Sequence, residues 1–277
     1  MRETRFEPEN LWGYAKRLRF VRQTIAEAFP ARAVYSLRML DVGCGNGSQL
    51  AVPLARGGLQ VTGIDTHAPS VEHARRIAKD LPNARFVCGR VEELEAEPFD
   101  VMILSEVLEH VTEPRALLSA SVKHMSRDGI VIVTVPNGYG EFEVDSWLFR
   151  QLRLQKIMDA LKSKVSPASN GSGARTSGEE HGAEAAMAAT DNHESGHVQF
   201  FTRKRLHSIF AECGLEAYSE AAASFISGPV VAYTLARSAK FIEWNAHVSD
   251  YLPLALSSGW YFALRRRRDG NASGVGE

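Results

Sequence analysis

The stretch MLDVGCGNG, Met39 to Gly47, decides how the chain folds. An apolar run carrying an acid, Asp41, gives way to glycines at Gly43, Gly45 and Gly47. A strand that turns through such a loop into a helix brings bare backbone against a ligand. A nucleoside-triphosphate loop needs a Lys-Ser/Thr pair after its last glycine, and here the chain continues SQLAVP, which excludes it. A dinucleotide fingerprint needs glycine at position 48, where Ser48 stands. Asp65 closes the next apolar run, where an acid grips ribose hydroxyls in NAD and in S-adenosylmethionine alike. Asp41 separates the two. Its carboxylate suits the ammonium of an amino-acid moiety and is ill placed beside a pyrophosphate. The balance favours S-adenosylmethionine.

Outward from that loop, the runs LRMLDV, LQVTGID, ARFVCG, FDVMILSE and GIVIVTVPN alternate with amphipathic stretches. This pattern predicts a parallel sheet covered on both faces, an α/β doubly wound core. Ser70 opens one helix, Thr112 caps another that Gly129 follows, and Thr202 caps a third that ends at Gly214. Upstream, YAKRLRFVRQTIAEAF sets Leu18, Val21, Ile25 and Ala28 on one helical face, with its arginines on the surface. The chain divides into an N-terminal helical segment (1–35), a cofactor-binding core (36–162) and a Ser/Gly/Ala/Glu-rich insert expected to be disordered (163–193). A C-terminal part of the same domain (194–264) follows, with an apolar, helical insert at 225–258, and then a tail (265–277).

Over 277 residues the net charge is -1, so no global field draws in nucleic acid or an anionic membrane. Cys44, Cys88 and Cys213 lack the paired spacing of a zinc site or disulfide framework, which fits a reducing cytoplasm. The charged start MRETRFEPENLWGY is not a secretion signal, and no run of about 18 apolar residues suggests a spanning helix. The RRRR run at 265–268 reads as a solvated tail, with peripheral membrane contact the sharper alternative. Nothing here sets the oligomeric state.

Taken in order, LDVGCGNG, VTGID, FVCGRVEEL, FDVMILSEVLEHV, GIVIVTVPN and GHVQFFT resemble the class I S-adenosylmethionine-dependent methyltransferases. Within that family the chain is similar to the ubiquinone-pathway O-methyltransferase-like small-molecule subgroup. The resemblance implies a Rossmann-like seven-stranded sheet, its last strand antiparallel, with helices on both faces. It also implies cofactor contacts: Gly43 and Gly45 passing the methionine part, Asp65 on the ribose, and Arg17 at the carboxylate. Ser105 would sit where relatives close over the cofactor. Arg90 stands where many relatives have an acid for the adenine, leaving that task to Val91 backbone or Glu92.

In EVLEH, residues Glu106, Glu109 and His110 are spaced i, i+3, i+4 and share one face if the segment is helical. With His197 they could hold a divalent cation, as Mg2+ is held beside the substrate hydroxyl in some relatives. The favoured reading is metal-free, with His110 and His197 as candidate general bases; a purely structural role is the third. The implied enzyme is of EC 2.1.1 type, methylating a small-molecule, sugar or lipid-like acceptor, most simply at oxygen. Phe225, Tyr233, Phe241, Trp244, Tyr251 and Trp260 favour an apolar or sugar-like acceptor over protein or RNA. The alternatives are an NAD-dependent oxidoreductase or epimerase on a related fold, and a non-catalytic methyltransferase-like binding module. The first needs a Tyr-x-x-x-Lys pair, which is not found after the fifth strand; the second should show a degraded glycine loop or no acid at position 65.

Overall fold

A computed structural model of the chain describes residues 9–10, 13–138, 197–226 and 238–267. Five strands run parallel: β1 (Arg38–Val42), β2 (Gln60–Asp65), β3 (Ala84–Cys88), β4 (Phe99–Ser105) and β5 (Met125–Pro136). Strands β6 (Leu215–Ala222) and β7 (Gly259–Arg266) complete a seven-stranded sheet of order β3-β2-β1-β4-β5-β7-β6. The last strand, β7, is antiparallel to both neighbours. Between β1 and β4 the strand order reverses, and in open α/β sheets the crevice at such a point takes the ligand.

The helices are α1 (Tyr14–Ala28), α2 (Ala51–Arg56), α3 (Ala68–Ile77), α4 (Pro114–Val122), α5 (Arg203–Glu212) and α6 (Ala239–Val248). Strand side chains alternate between faces, so successive apolar residues feed two separate cores. Leu40, Met102, Leu104 and Val131 pack with Leu118 of α4 and Phe210 of α5. Met39, Val101, Ile103 and Ile132 pack with Val21 of α1, Leu54 of α2 and Val71 of α3. Near-continuous apolar strands are the sequence mark of this two-sided burial.

Helix ends depart from expectation in two places. Helix α3 begins at Ala68, not Ser70, with Pro69 in its first turn, where proline's fixed φ is already helical. Ser70 is buried in the helix, its Oγ 2.7 Å from His67 Nδ1. Helix α4 begins at Pro114 with Glu113 rather than Thr112 at the cap, and it stops at Val122. Gly129 therefore lies inside β5, where a Cβ would stand 2.6 Å from Met125 Cγ. Thr202 does cap α5, its side chain accepting from Arg205 N–H at 3.2 Å, and Gly214 follows at φ +71°.

Leu18, Val21 and Ile25 are buried as α1's periodicity requires. Arg17, which the periodicity alone sets with the other arginines at the surface, is buried, and so is Lys16. The 163–193 insert, residues 227–237 of the second insert and positions 268–277 of the tail lie outside the described residues. Among the described residues, no helix is long and apolar enough to cross a membrane.

Candidate functional site

Where β1, β2 and β4 end, their loops enclose a cavity of about 750 Å3, within the usual range for small-molecule sites. The glycine loop forms its floor. Gly43 turns at φ +71°, and a Cβ there would stand 2.5 Å from Val107 Cγ2. Gly45, at φ +52°, has no atom within 4 Å of such a Cβ, so its backbone lies open for close approach. Asp65 braces the loop: its two oxygens accept from Gly45 N–H and His67 N–H, each at 2.8 Å. Each oxygen keeps a second lone pair for a ligand hydroxyl.

Asp41 lines the cavity at 3% exposure. Burial, aided by the negative charge of Asp65, pushes its pKa up to about 7, while Arg17 opposes the shift. An acid so placed is short of positive charge, and a bound ammonium would return it to the ionised form.

Arg17 enters from α1, donating to Ser105 Oγ at 3.2 Å and Gln49 Oε1 at 3.4 Å. Its guanidinium is 3.5 Å from Glu106 Oε1, and its Nε has no partner among the described residues. Burial is the largest single influence and works against the charge, but Glu106, Tyr261 and Tyr14 together outweigh it and the Arg17 pKa is raised. Glu106 has the left-handed φ of +54°, a sparsely populated state for a residue with a Cβ. Its N–H donates to the Thr134 carbonyl at 2.9 Å, and its Oε1 accepts from the Thr134 hydroxyl at 2.8 Å.

That backbone reversal corrects the expected helical face. Leu108–His110 is a single 3-10 turn, and Glu106 points to Arg17 instead of joining Glu109 and His110. The group that does form is Glu109, His110 and His197, with potential ligand atoms all within 4.8 Å of one another. His197 is delivered by its neighbour Val198, whose N–H donates to the Glu109 carbonyl at 2.9 Å. Glu109 is 1% exposed, and neither carboxylate oxygen has a hydrogen-bond partner among the described residues. Burial, reinforced by Glu106, holds its carboxyl well above the usual range. The His110 and His197 rings meet edge to face at 5.1 Å.

A second cavity of about 270 Å3 adjoins the first, and Arg17, Gln49, Glu106 and His110 line both. Its far wall carries Tyr14, Glu109, His197, Ser224, Ser258 and Tyr261. Burial pushes the Tyr261 hydroxyl up to about 12, with Arg17 opposing.

All the cofactor candidates (Arg17, Asp41, Gly43, Gly45, Asp65, Val91, Glu92 and Ser105) line the larger cavity, as does His110. His197 lines the smaller one. Arg90 pairs with Glu92 at 3.3 Å, and Val91 O meets His124 Nε2 at 2.9 Å. Of the aromatic residues expected to shape the acceptor site, those among the described residues do not line either cavity. Phe225, Phe241 and Trp244 cluster together at 5.7 and 6.3 Å. Trp260 is buried in β7 and donates to Leu254 O at 2.7 Å, and Tyr233 lies outside the described residues. Gln49, Tyr14 and Tyr261 were not singled out from the sequence. Gln49 follows the glycine loop closely enough to be found, whereas Tyr261 depends on the antiparallel register that sets it beside Thr134.

A family model described as "Methyltransferase domain" matches residues 12–220. The ubiquinone biosynthesis O-methyltransferase of Rhodopseudomonas palustris (strain HaA2) is 37% identical over 129 residues, 44% of this chain and 50% of that protein. Its counterpart from Neisseria meningitidis serogroup A is 41% identical over 105 residues, 36% of this chain and 44% of that protein. The chain thus matches about half the length of these curated relatives. Among solved structures, magnesium protoporphyrin IX methyltransferase from Synechocystis PCC 6803 with bound SAH superposes with a TM-score of 0.52. That match has 15% identity and covers 92% of this chain and 85% of that one. It speaks for the fold alone.

Proposed function

The chain belongs to the class I S-adenosylmethionine-dependent methyltransferases, the family its residues 12–220 match, and on that footing we propose that it methylates a hydroxyl oxygen of a small-molecule acceptor. One observation carries this reading: two abutting cavities share the wall Arg17, Gln49, Glu106 and His110, and the smaller sets the polar groups of Glu109, His197, Ser224 and Ser258 in a surface that is otherwise mainly apolar. That lining suits a small ring that carries a hydroxyl. The proposal treats 36–162 and 194–264 as one unit around the sheet.

Bound in the larger cavity, S-adenosylmethionine supplies a methyl on a sulfonium, and in-line displacement forms the C–O bond as the C–S bond breaks. Asp41 meets the ammonium and Arg17 the carboxylate, while Asp65 accepts from the ribose hydroxyls. The adenine lies against Val91 and Glu92, with Ser105 beside the methionine part. Holding donor and acceptor in line is the main task, and such placement can account for roughly 7–11 kcal/mol of barrier. His110, at the seam between the cavities, takes the proton of the acceptor hydroxyl, with His197 as the alternative base.

A second reading of the same trio is favoured by the buried Glu109 carboxylate, whose oxygens have no hydrogen-bond partner among the described residues while Oε1 stands 3.8 Å from His110 Nε2. Glu109, His110 and His197 offer one oxygen and two nitrogens, a donor set that suits a borderline cation such as zinc better than magnesium. A cation there would lower the pKa of the acceptor hydroxyl. Turnover that survives exhaustive chelation rejects it.

Titration calorimetry with S-adenosylhomocysteine, and with NAD in parallel, tests the main proposal. Micromolar binding of S-adenosylhomocysteine alone is expected, followed by label transfer from methyl-labelled donor to a panel of small hydroxylated acceptors. Binding of NAD alone would overturn it. Binding of neither would return the weight to a non-catalytic module.

A further inference from the structure

Lys16 neighbours Arg17 on α1 but serves a different part of the molecule. Its side chain is buried, and its Nζ reaches Ala223 O at 3.1 Å, Ala246 O at 2.8 Å and Ser249 Oγ at 2.6 Å. Asp250 Oδ1 stands 2.6 Å away on the solvent side. Three ammonium protons are therefore shared among four oxygens. Those oxygens come from two segments distant in sequence, the exit of β6 and the carboxyl end of α6. Carbonyls at a helix carboxyl terminus favour a cation, so the residue type suits the place. Ser249 Oγ also lies 2.6 Å from Ala223 O and 2.9 Å from Ala246 O, closing the cage.

The chain held by this cage is the far wall of the smaller cavity. Ala223, Ser224, Ser258 and Gly259 line it. They are cross-linked by Ala223 N–H to Gly259 O at 2.9 Å and Ser258 N–H to Ser224 O at 2.9 Å. The Ser224 and Ser258 hydroxyls also meet at 2.9 Å. With 3.6 residues per turn, consecutive side chains on α1 diverge by about 100°. Lys16 can thus grip this wall while Arg17 reaches the seam of the two cavities.

We propose that Lys16 is a positioning residue that ties the acceptor-side wall to the helix carrying Arg17, so that α1 sets the spacing between the two cavities. The acceptor part of this statement rests on the reading of the smaller cavity given above. Burial pulls the Lys16 pKa below the ordinary lysine value, and Asp250 opposes the pull. Loss of the charge would leave Ala223 O and Ala246 O without their cation.

Residue-resolved amide exchange on the full chain tests the proposal, with S-adenosylhomocysteine titration alongside. In Lys16→Met the Ala223 and Ser258 amides should exchange at least tenfold faster than in wild type, with S-adenosylhomocysteine affinity held within twofold. Lys16→Arg, which keeps the charge, should restore most of the protection. Faster exchange confined to α6, with Ala223 and Ser258 unchanged, would reduce Lys16 to an anchor for that helix and overturn the proposal. So would a tenfold loss of ligand affinity in Lys16→Met, or protection in Lys16→Arg no better than in Lys16→Met. If Lys16→Met does not fold, Ser249→Ala removes one cage oxygen, and the same two amides should then exchange at least threefold faster; no change there would overturn the proposal. Failure of the wild type to bind S-adenosylhomocysteine would sink the methyl-transfer reading, and the two amides would still decide the clasp.

Discussion

Affinity for S-adenosylhomocysteine should fall steeply as the pH drops below neutrality, and Asp41 sets the size of the fall. In the free protein its pKa stands at about 7, raised by burial and by Asp65. The ligand's ammonium, placed against it, favours the ionised carboxylate and should return the pKa toward the ordinary value of about 4. At pH 5 most of the free protein then carries a proton that must leave before the ligand binds. Comparing pH 7.5 with pH 5, linkage gives an affinity about seventyfold weaker on the acid side, or about 2.5 kcal/mol. The limb between should approach tenfold per pH unit. Calorimetry in buffers of different ionisation enthalpy reads the same event directly, as close to one proton released per ligand bound at pH 5.5. Asp41→Asn should flatten the profile and leave the affinity near the wild-type acid value at every pH. Equal wild-type affinity at pH 5 and 7.5, or an undiminished slope in Asp41→Asn, would refute the assignment of Asp41 to the ammonium.

The same group has an opposite effect on the free protein's stability. A folded pKa of about 7 against an unfolded value of about 4 adds stability below pH 4 that is lost as pH rises through 7, up to about 4 kcal/mol in all; melts of Asp41→Asn between pH 5 and 8 should lack this fall, and curves parallel to wild type count against it. Asp65→Ala removes the acceptor of two loop N–H groups, so it should cost about 1–3 kcal/mol of stability and weaken S-adenosylhomocysteine at least tenfold. Unchanged affinity would reject the ribose contact. His110→Ala should cut turnover about 10²–10⁴-fold with ligand affinity within threefold, and turnover close to wild type would move the base to His197.

The lining of the larger cavity was legible because its information is local. Asp41, Gly43, Gly45 and Asp65 lie on two adjacent strands and the turn between strand and helix, so pattern and chemistry coincide there. Arg17 was half legible: an arginine on an amphipathic helix reads as a surface charge, and its burial arises only where the loops after β1 and β4 close over it. The i, i+3, i+4 spacing of Glu106, Glu109 and His110 was a true signal read with the wrong geometry. A left-handed residue at Glu106 interrupts the turn, and no residue type announces it, since glutamate is not one that seeks positive φ. Tyr261 and Ser258 reach the second cavity through the antiparallel insertion of β7, a register that short-range pattern cannot specify.

The strained Glu106 also bears on the choice between base and cation. A buried guanidinium without a counter-charge is costly, and Glu106 is the carboxylate within 4 Å of Arg17. If Glu106 turned back to join Glu109, Arg17 would lose that partner and the seam between the cavities would lose its fixed charge. Among the described residues, the cluster that lines the smaller cavity is therefore Glu109, His110 and His197. Three protein ligands leave a position open, the arrangement catalytic metal sites use. The same three groups without a cation form a histidine pair backed by an acid whose charge burial disfavours. The two readings then diverge at Glu109: its replacement by Gln keeps a polar group of the same shape and should spare a metal-free base, whereas a cation site would lose its anionic ligand. Glu109→Gln with turnover within threefold of wild type supports the base, and a loss of a hundredfold or more that added divalent cation partly restores supports the cation.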